Sequence, residues 1–311
     1  MSGLTFRSSG DLTADRRYAY AVDLLQTGEP IAAGDLIEQA LELVPEWPVG
    51  WFTLARAREA SGDMTTATTA FERAAALDPQ DELGARLHLA RLGATATPSQ
   101  PPTAYVRGLF DDYADRFDHA LVGGLAYRAP QLIRAALAAA SGVDRFQRCL
   151  DLGCGTGLMA EQLRSSVKDL IGVDLSARMI DVARAKGLYD RLVVGELIGS
   201  MQAETDATYD LITAADVFCY LGELDAAIAH CARLLRPGGY LAFSVERLPS
   251  SWDGAPFRVA DSLRYRHDEG YVARLLVAAG LTIDRIDPET LRNDRGIPIE
   301  GLIMIASKRQ T

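Results

Sequence analysis

Apolar residues fall into two periodic regimes along the chain, with an aperiodic stretch between them. The first regime is helical, and it repeats. "RYAYAVDLLQTGEPIAAGDLIEQALELVP" and "WFTLARAREASGDMTTATTAFERAAALDP" align at a period of 34 residues. Tyr20 then matches Leu54, Ala21 matches Ala55, Ala33 matches Ala67, Ile37 matches Phe71, Ala40 matches Ala74 and Pro45 matches Pro79. Small residues at matched positions let two helices approach, larger ones fill the space between them, and the proline falls where the second helix has to end. "DELGARLHLARLG" adds one more helix, with Leu83, Leu87 and Leu92 apolar, suited to cap the stack.

"GATATPSQPPT" is rich in Pro, Thr, Ala and Ser and marks a boundary. The expected division is a polar tail over residues 1–16, helical repeats over 17–92, a linker over 93–104 and a second domain over 105–311. That domain opens with "YVRGLFDDYADRFDHAL", which sets Val106, Leu109, Phe110, Tyr113 and Phe117 on one helical face. Short apolar runs then alternate with helical stretches: "RCLDL", "DLIGVDL", "RLVVG", "YDLITAAD" and "GGYLAFSVE", followed by "LTIDRIDPET" and "GLIMIASKR" joined by a turn. The alternation predicts an α/β fold, a Rossmann-like seven-stranded, mostly parallel sheet behind an N-terminal α-helical domain.

Composition narrows the partners. With 311 residues, 48% of them apolar, the chain is long enough for one substantial core and a smaller unit. A net charge of -10 works against broad contact with phosphate backbones, so nucleic acid is not expected. No apolar run is long enough to span a bilayer. Cys149, Cys154, Cys219 and Cys231 form no C-x-x-C pair and the polar start lacks a signal-peptide core, which points to a reducing cytoplasm and no structural zinc.

Candidate chemistry centres on "DLGCGTG". Gly153, Gly155 and Gly157 are spaced G-x-G-x-G, one residue short of the dinucleotide fingerprint. Asp151 beside the helix entrance would repel a pyrophosphate and favour a cationic amino group. S-adenosylmethionine carries that ammonium and a sulfonium, with no phosphate. Asp174, at the end of the second strand, is placed to hydrogen-bond both ribose hydroxyls, with Ser176 capping the next helix. Glu196, after the third strand, is the candidate acceptor for the adenine amino group, and Leu197 would pack on the ring.

Residues 105–311 resemble class I S-adenosylmethionine-dependent methyltransferases, and more closely the bacterial tetratricopeptide-containing kind. The resemblance rests on "LFDDYADRFDHALV", "LDLGCGTG", "AADVFCYLGEL", "LLRPGGYLAFSVE" and "RYRH", and the N-terminal repeats look like tetratricopeptide helix pairs. It implies that Asp151, Gly153, Gly155 and Gly157 cradle the methionine moiety, Asp174 the ribose, and Met179, Glu196 and Leu197 the adenine side. Leu175 and Ala215 complete that set. Glu196 stands where aspartate is commoner.

The acceptor side is less constrained. Methyl transfer from a sulfonium needs orientation above all, and a base only for a protonated nucleophile. "AADVFCYLGEL" lacks the Asn/Asp-Pro-Pro-aromatic run that grips planar amino groups, and no Pro-Cys dipeptide is present to attack a cytosine ring. Asp216 and Glu246 follow strands and are weighed as magnesium ligands, but Arg247 follows Glu246, and no metal is expected. His267 is the candidate base or orienting donor, with Tyr220 and Glu246 as catalytic neighbours; capping of the next helix is the alternative. His88, His119 and His230 read as structural. Tyr105, Tyr113, Phe117, Asp216 and Phe218 are candidate substrate-lining residues. Arg264 and Arg266 are candidates to clamp a substrate carboxylate, joined by Arg292 or Arg295 if the chain returns them to the rim.

The expected activity is transfer of a methyl group to an oxygen, nitrogen or sulfur atom of a small organic molecule. Two alternatives stay open: a protein or carrier-bound substrate docked on the repeats, and a non-catalytic cofactor-binding scaffold. Two repeats fall short of the roughly three usual for independent stability, so the stack is expected to lean on the next domain, a protein partner or a second subunit.

Overall fold

The computed structural model describes residues 7–118, 124–252, 254–294 and 296–310. The chain divides into two compact units, Met1–Val106 and Arg107–Thr311.

The first unit is helical: α1 (Leu12–Thr27), α2 (Pro30–Leu43), α3 (Pro48–Ala60), α4 (Met64–Leu77) and α5 (Ala85–Arg91). Asp11 and Asp63 cap α1 and α4 with side-chain oxygens, while Pro30 and Pro48 open α2 and α3 where a missing N–H leaves no bond unmade. The matched pairs Ala21/Ala55, Ala33/Ala67, Ile37/Phe71 and Ala40/Ala74 are all buried. Tyr20 departs from the expectation. It is exposed while Leu54 is buried, and Tyr18 and Phe52, one period apart and two positions earlier, are in the core. His88 stacks on Phe71 at 4.6 Å, which gives it the structural place expected of it.

A further helix, α6 (Thr103–Tyr113), begins inside the segment read as linker and crosses the boundary between units. Beyond it, α7 (Ala129–Ser141) leads into β1 (Phe146–Leu152), α8 (Leu158–Leu163), β2 (Val167–Asp174), α9 (Ala177–Lys186), β3 (Arg191–Val194), α10 (Leu197–Ala203), β4 (Tyr209–Ala214), α11 (Asp225–Leu234) and β5 (Leu235–Arg247). The chain closes with β6 (Phe257–Val259), β7 (Tyr265–His267), α12 (Glu269–Ala278), β8 (Leu281–Asp294) and β9 (Ile297–Lys308).

Among the described residues the sheet has nine strands, not seven. The seven expected strands are all present, in the order β3-β2-β1-β4-β5-β9-β8, parallel up to β5 and antiparallel at β9 and β8. The additional pair is the β6-β7 hairpin. β4 pairs with β5 as far as Phe243; β7 then takes up the same edge at Glu246 and Arg247, opposite β9, and prolongs the sheet past the end of β4. Alternation along the strands builds a core on each face. Leu150, Ile212, Phe243 and Met304 face one way, and Cys149, Leu211, Ala242 and Ile303 the other. Strand order reverses between β2-β1 and β1-β4, so the carboxyl end of β1 is the switch point where such sheets bind ligands.

Candidate active site

The glycine loop leaves β1 at that switch point. Gly153, Gly155 and Gly157 have φ of +56°, +52° and +94°. At Gly153 the need for glycine is also steric, since a Cβ there would lie 2.6 Å from Val217 Cγ2. The Gly155 N–H donates to Asp174 Oδ2 at 2.8 Å and the Ser176 N–H to Asp174 Oδ1 at 2.8 Å, so one carboxylate ties the loop to the start of α9. Ser176 caps α9 as expected, its Oγ accepting from the Met179 N–H.

Several partners of this loop carry no sequence signal. Ser176 Oγ donates to Asp111 Oδ1 at 2.5 Å, and Thr156 Oγ1 is bonded to Asp118. Lys186 Nζ pairs with both Asp118 and Glu161 at 2.7 Å. Phe117 lies over the loop, its Cε1 3.7 Å from where a Gly155 Cβ would be. Asp151 accepts from Tyr189 OH at 2.6 Å and from Thr213 Oγ1 at 2.8 Å. Burial pushes its carboxyl up to about 6 against those two hydrogen bonds, and the Asp174 charge adds to the rise. Burial also raises Asp174, backbone N–H groups oppose the rise, and Asp111 adds to it. This end of the site therefore holds more negative charge than its surroundings compensate.

The opposite end is basic. Asp216 follows β4 with φ of +56°, an unusual backbone for a residue with a side chain. Its N–H donates to Ser244 Oγ at 2.9 Å, and that hydroxyl donates back to Oδ1 at 3.2 Å. Arg292, delivered by β8, is bonded to Asp216 Oδ2 and to Glu246 Oε1. Arg264 lies over the Tyr220 ring, 5.2 Å from its centroid, and Phe110 of α6 meets the same ring at 5.1 Å. Arg264 Nη1 stands 3.8 Å from Asp216 Oδ2 and 3.7 Å from Glu246 Oε1; Arg266 Nε stands 3.8 Å from Glu246 Oε2.

These contacts correct several expectations. Glu246 is fully buried and bound to Arg292, which removes it from proton transfer. Among the described residues, no group of three or more His, Cys, Asp or Glu is arranged to hold a metal ion. His267 is fully buried, with Nε2 2.9 Å from Leu221 O and 3.0 Å from Gly222 O. Carbonyls only accept, so Nε2 carries the hydrogen, and burial lowers the ring's pKa to about 4. The reason is strand geometry: in β7 the side chains of Tyr265 and His267 face one way and that of Arg266 the other, so His267 does not share a face with Arg266. It anchors the loop after Tyr220 instead. Asp268, not His267, caps α12.

Phe218 is core, packed on Phe243 at 5.2 Å. Tyr105 belongs to the first unit, where its ring lies against Gly84, whose φ of +73° and missing Cβ make the room. Tyr113 meets Phe117 at 5.8 Å. Glu196 caps α10, accepting from the Gly199 N–H at 2.8 Å, so part of the carboxylate assigned to adenine is already engaged. Met179 is fully buried in α9, Leu197 and Ala215 are half-buried against the two cores, and Leu175 is half-buried beside Asp174. Arg295 and His119 lie outside the described residues.

Residues 150–243 match the family described as Methyltransferase domain. The match runs from β1 into β5 and covers less than half of the chain. Ubiquinone biosynthesis O-methyltransferase of Pectobacterium atrosepticum is 30% identical over 110 residues, 34% of this chain and 46% of that protein. The chain thus spans about half the length of that relative. A biotin biosynthesis bifunctional protein of Bordetella avium is 32% identical over 196 residues, 62% of this chain and 41% of its own length. Among solved structures, the cyclase SpnF superposes with a TM-score of 0.54 at 20% identity, covering 70% of this chain and all of that one. Magnesium protoporphyrin IX methyltransferase of Synechocystis, solved with bound S-adenosylhomocysteine, gives 0.50 at 20% identity over 66% and 98%. These two likenesses concern the fold, and a cyclase on the same fold shows that the fold by itself does not fix the reaction.

Proposed function

We propose that the protein transfers a methyl group from S-adenosylmethionine to a nucleophilic atom of a small organic molecule. The observation that carries this reading is the pair of carboxylates, Asp151 buried and Asp174 half-buried, flanking a left-handed glycine loop, both raised chiefly by removal from water. Such a pocket stabilises a cation brought into it, and the cofactor is one; the residues present fit the group. Bound there, S-adenosylmethionine supplies a methyl on a sulfonium, an electrophile with its leaving group installed. The chain's own residues do the rest. Asp174 holds the loop against α9, Asp111 and Asp118 tie the segment carrying Phe110 and Phe117 to that loop, and Tyr220 faces the acceptor end. With His267 and Glu246 occupied elsewhere, orientation and exclusion of water are the contributions this site makes.

The 34-residue period and the buried small-residue pairs support a tetratricopeptide-like reading of the first unit, as a structural appendage or partner platform. Four free, buried cysteines agree with the cytoplasm, and no helix among the described residues is long and apolar enough to cross a membrane.

Calorimetry with S-adenosylhomocysteine tests the reading. Wild-type protein should bind it, and Asp174→Ala should bind it about tenfold to a hundredfold more weakly, the worth of one charge-assisted hydrogen bond. Absence of binding by the wild type at millimolar ligand would remove the proposal.

A further inference from the structure

Two guanidinium groups at the acceptor end are left with donors that nothing among the described residues uses. Three arginines, Arg264, Arg266 and Arg292, meet two carboxylates, Asp216 and Glu246. Arg292, its side chain 2% exposed, is bonded to Asp216 Oδ2 and Glu246 Oε1, while Glu246 Oε2 is buried without a hydrogen-bond partner among the described residues. Arg264 and Arg266 stand at 3.7–3.8 Å from the same oxygens, beyond hydrogen-bond range. Arg264 Nη1 and Arg266 Nε are buried and have no hydrogen-bond partner. Those two atoms are themselves shielded from solvent; the 22% and 30% of side-chain surface that stays open belongs to the rest of each arginine, where a ligand can approach. The cluster carries one positive charge more than negative.

We propose that the methyl acceptor bears a carboxylate and that Arg264 and Arg266 receive it, with the Tyr220 ring as the wall beside it. A buried donor without a partner costs stability, which a planar acceptor restores by taking N–H groups from both arginines. A singly charged group matches the surplus of one. A phosphate monoester, carrying nearly two negative charges at neutral pH, would overshoot that surplus next to Asp216 and Glu246. Arg264 and Arg266 both stand against the Glu246 carboxylate, at 3.7 and 3.8 Å, and His267, next to Arg266 in β7, points away from that face. Naming the bound molecule an acceptor rests on the methyltransferase reading; the anion subsite itself does not.

Benzoate, with benzamide as its neutral counterpart, tests this by calorimetry on the full chain after saturation with S-adenosylhomocysteine. Benzoate should bind at least about tenfold more tightly than benzamide. Arg264→Gln and Arg266→Gln should each remove that difference without changing affinity for S-adenosylhomocysteine, and Arg266→Lys should restore part of it. Should Arg264→Gln unfold, the more exposed Arg266 carries the comparison. Equal binding of benzoate and benzamide, or undiminished benzoate binding in both glutamine variants, overturns the proposal. A protein that binds benzoate as described but not S-adenosylhomocysteine keeps the anion subsite and loses the methyltransferase reading.

Discussion

Replacing His267 separates an anchoring role from a catalytic one. In the folded protein its Nε2–H bonds to the carbonyls of Leu221 and Gly222, and burial lowers its pKa from 6.5 to about 4. An unfolded chain takes up the proton near 6.5, whereas the folded one resists until about 4. Stability from this residue is therefore complete above 6.5 and lost as the pH falls between the two values. At 1.36 kcal/mol per pH unit the loss amounts to about 3 kcal/mol. His267→Gln places an amide near Nε2 that can still donate to the two carbonyls and cannot titrate. Denaturant unfolding followed from pH 7.5 to 4 should show the wild type losing about 3 kcal/mol more than the glutamine variant over that range. His88, lowered by burial to about 3, adds the same background to both proteins and cancels. Turnover by His267→Gln should stay within a few-fold of wild type, while His267→Ala, which frees the loop after Tyr220, should raise KM more than it lowers kcat. A drop of about a hundredfold or more in kcat for the glutamine variant, with stability retained, would restore His267 as a general base and refute the anchoring argument.

Arg292→Met leaves Asp216 and Glu246 without their bonded cation, which should destabilise the second unit by about 3–5 kcal/mol and lower its Tm by about 6–20 °C in calorimetry at pH 7; a shift of a degree or two would mean that the pair is solvated. Gly153→Ala drives a Cβ into Val217 at a left-handed backbone position, so S-adenosylhomocysteine affinity should fall at least about tenfold and recover in part when combined with Val217→Ala. Additive effects of those two substitutions would show that the contact does not shape the loop.

The parts of this molecule that were legible in its sequence are those held by short-range rules. Seven strands, the glycine loop at the switch point, the Ser176 cap and the buried alanine pairs of the repeats all follow from periods of two, 3.6 or 34 residues and from cap chemistry. What escaped was either too short or too distant. β6 and β7 have three residues each and carry arginines, so they show no apolar run, yet they extend the sheet beside the site. Missing β7 also hid the alternation that separates His267 from Arg266. Arg292 lies 76 residues from Asp216 and 46 from Glu246, and no local pattern joins them. Tyr20 lies outside the core for a different reason. A 34-residue period fixes which positions correspond, but it does not say which of them face inward, and Tyr18 with Phe52 satisfies the same spacing.

The two ends of the site share one physical feature, charge of opposite sign held away from water without full compensation. Asp151, Asp174 and Asp111 cluster at the glycine loop, and Arg264 and Arg266 sit beyond Tyr220. A protein selected for stability alone would neutralise both clusters; one that keeps both invites a cation at the first and an anion at the second. On the proposed reading the two ligands also favour each other, because opposite charges brought into one poorly solvated site attract more strongly than they do in water. Transfer then weakens that attraction, since a thioether no longer offers the carboxylates of the glycine loop the positive charge that the sulfonium did. The same uncompensated groups that assemble the reactants thus hold the products less firmly.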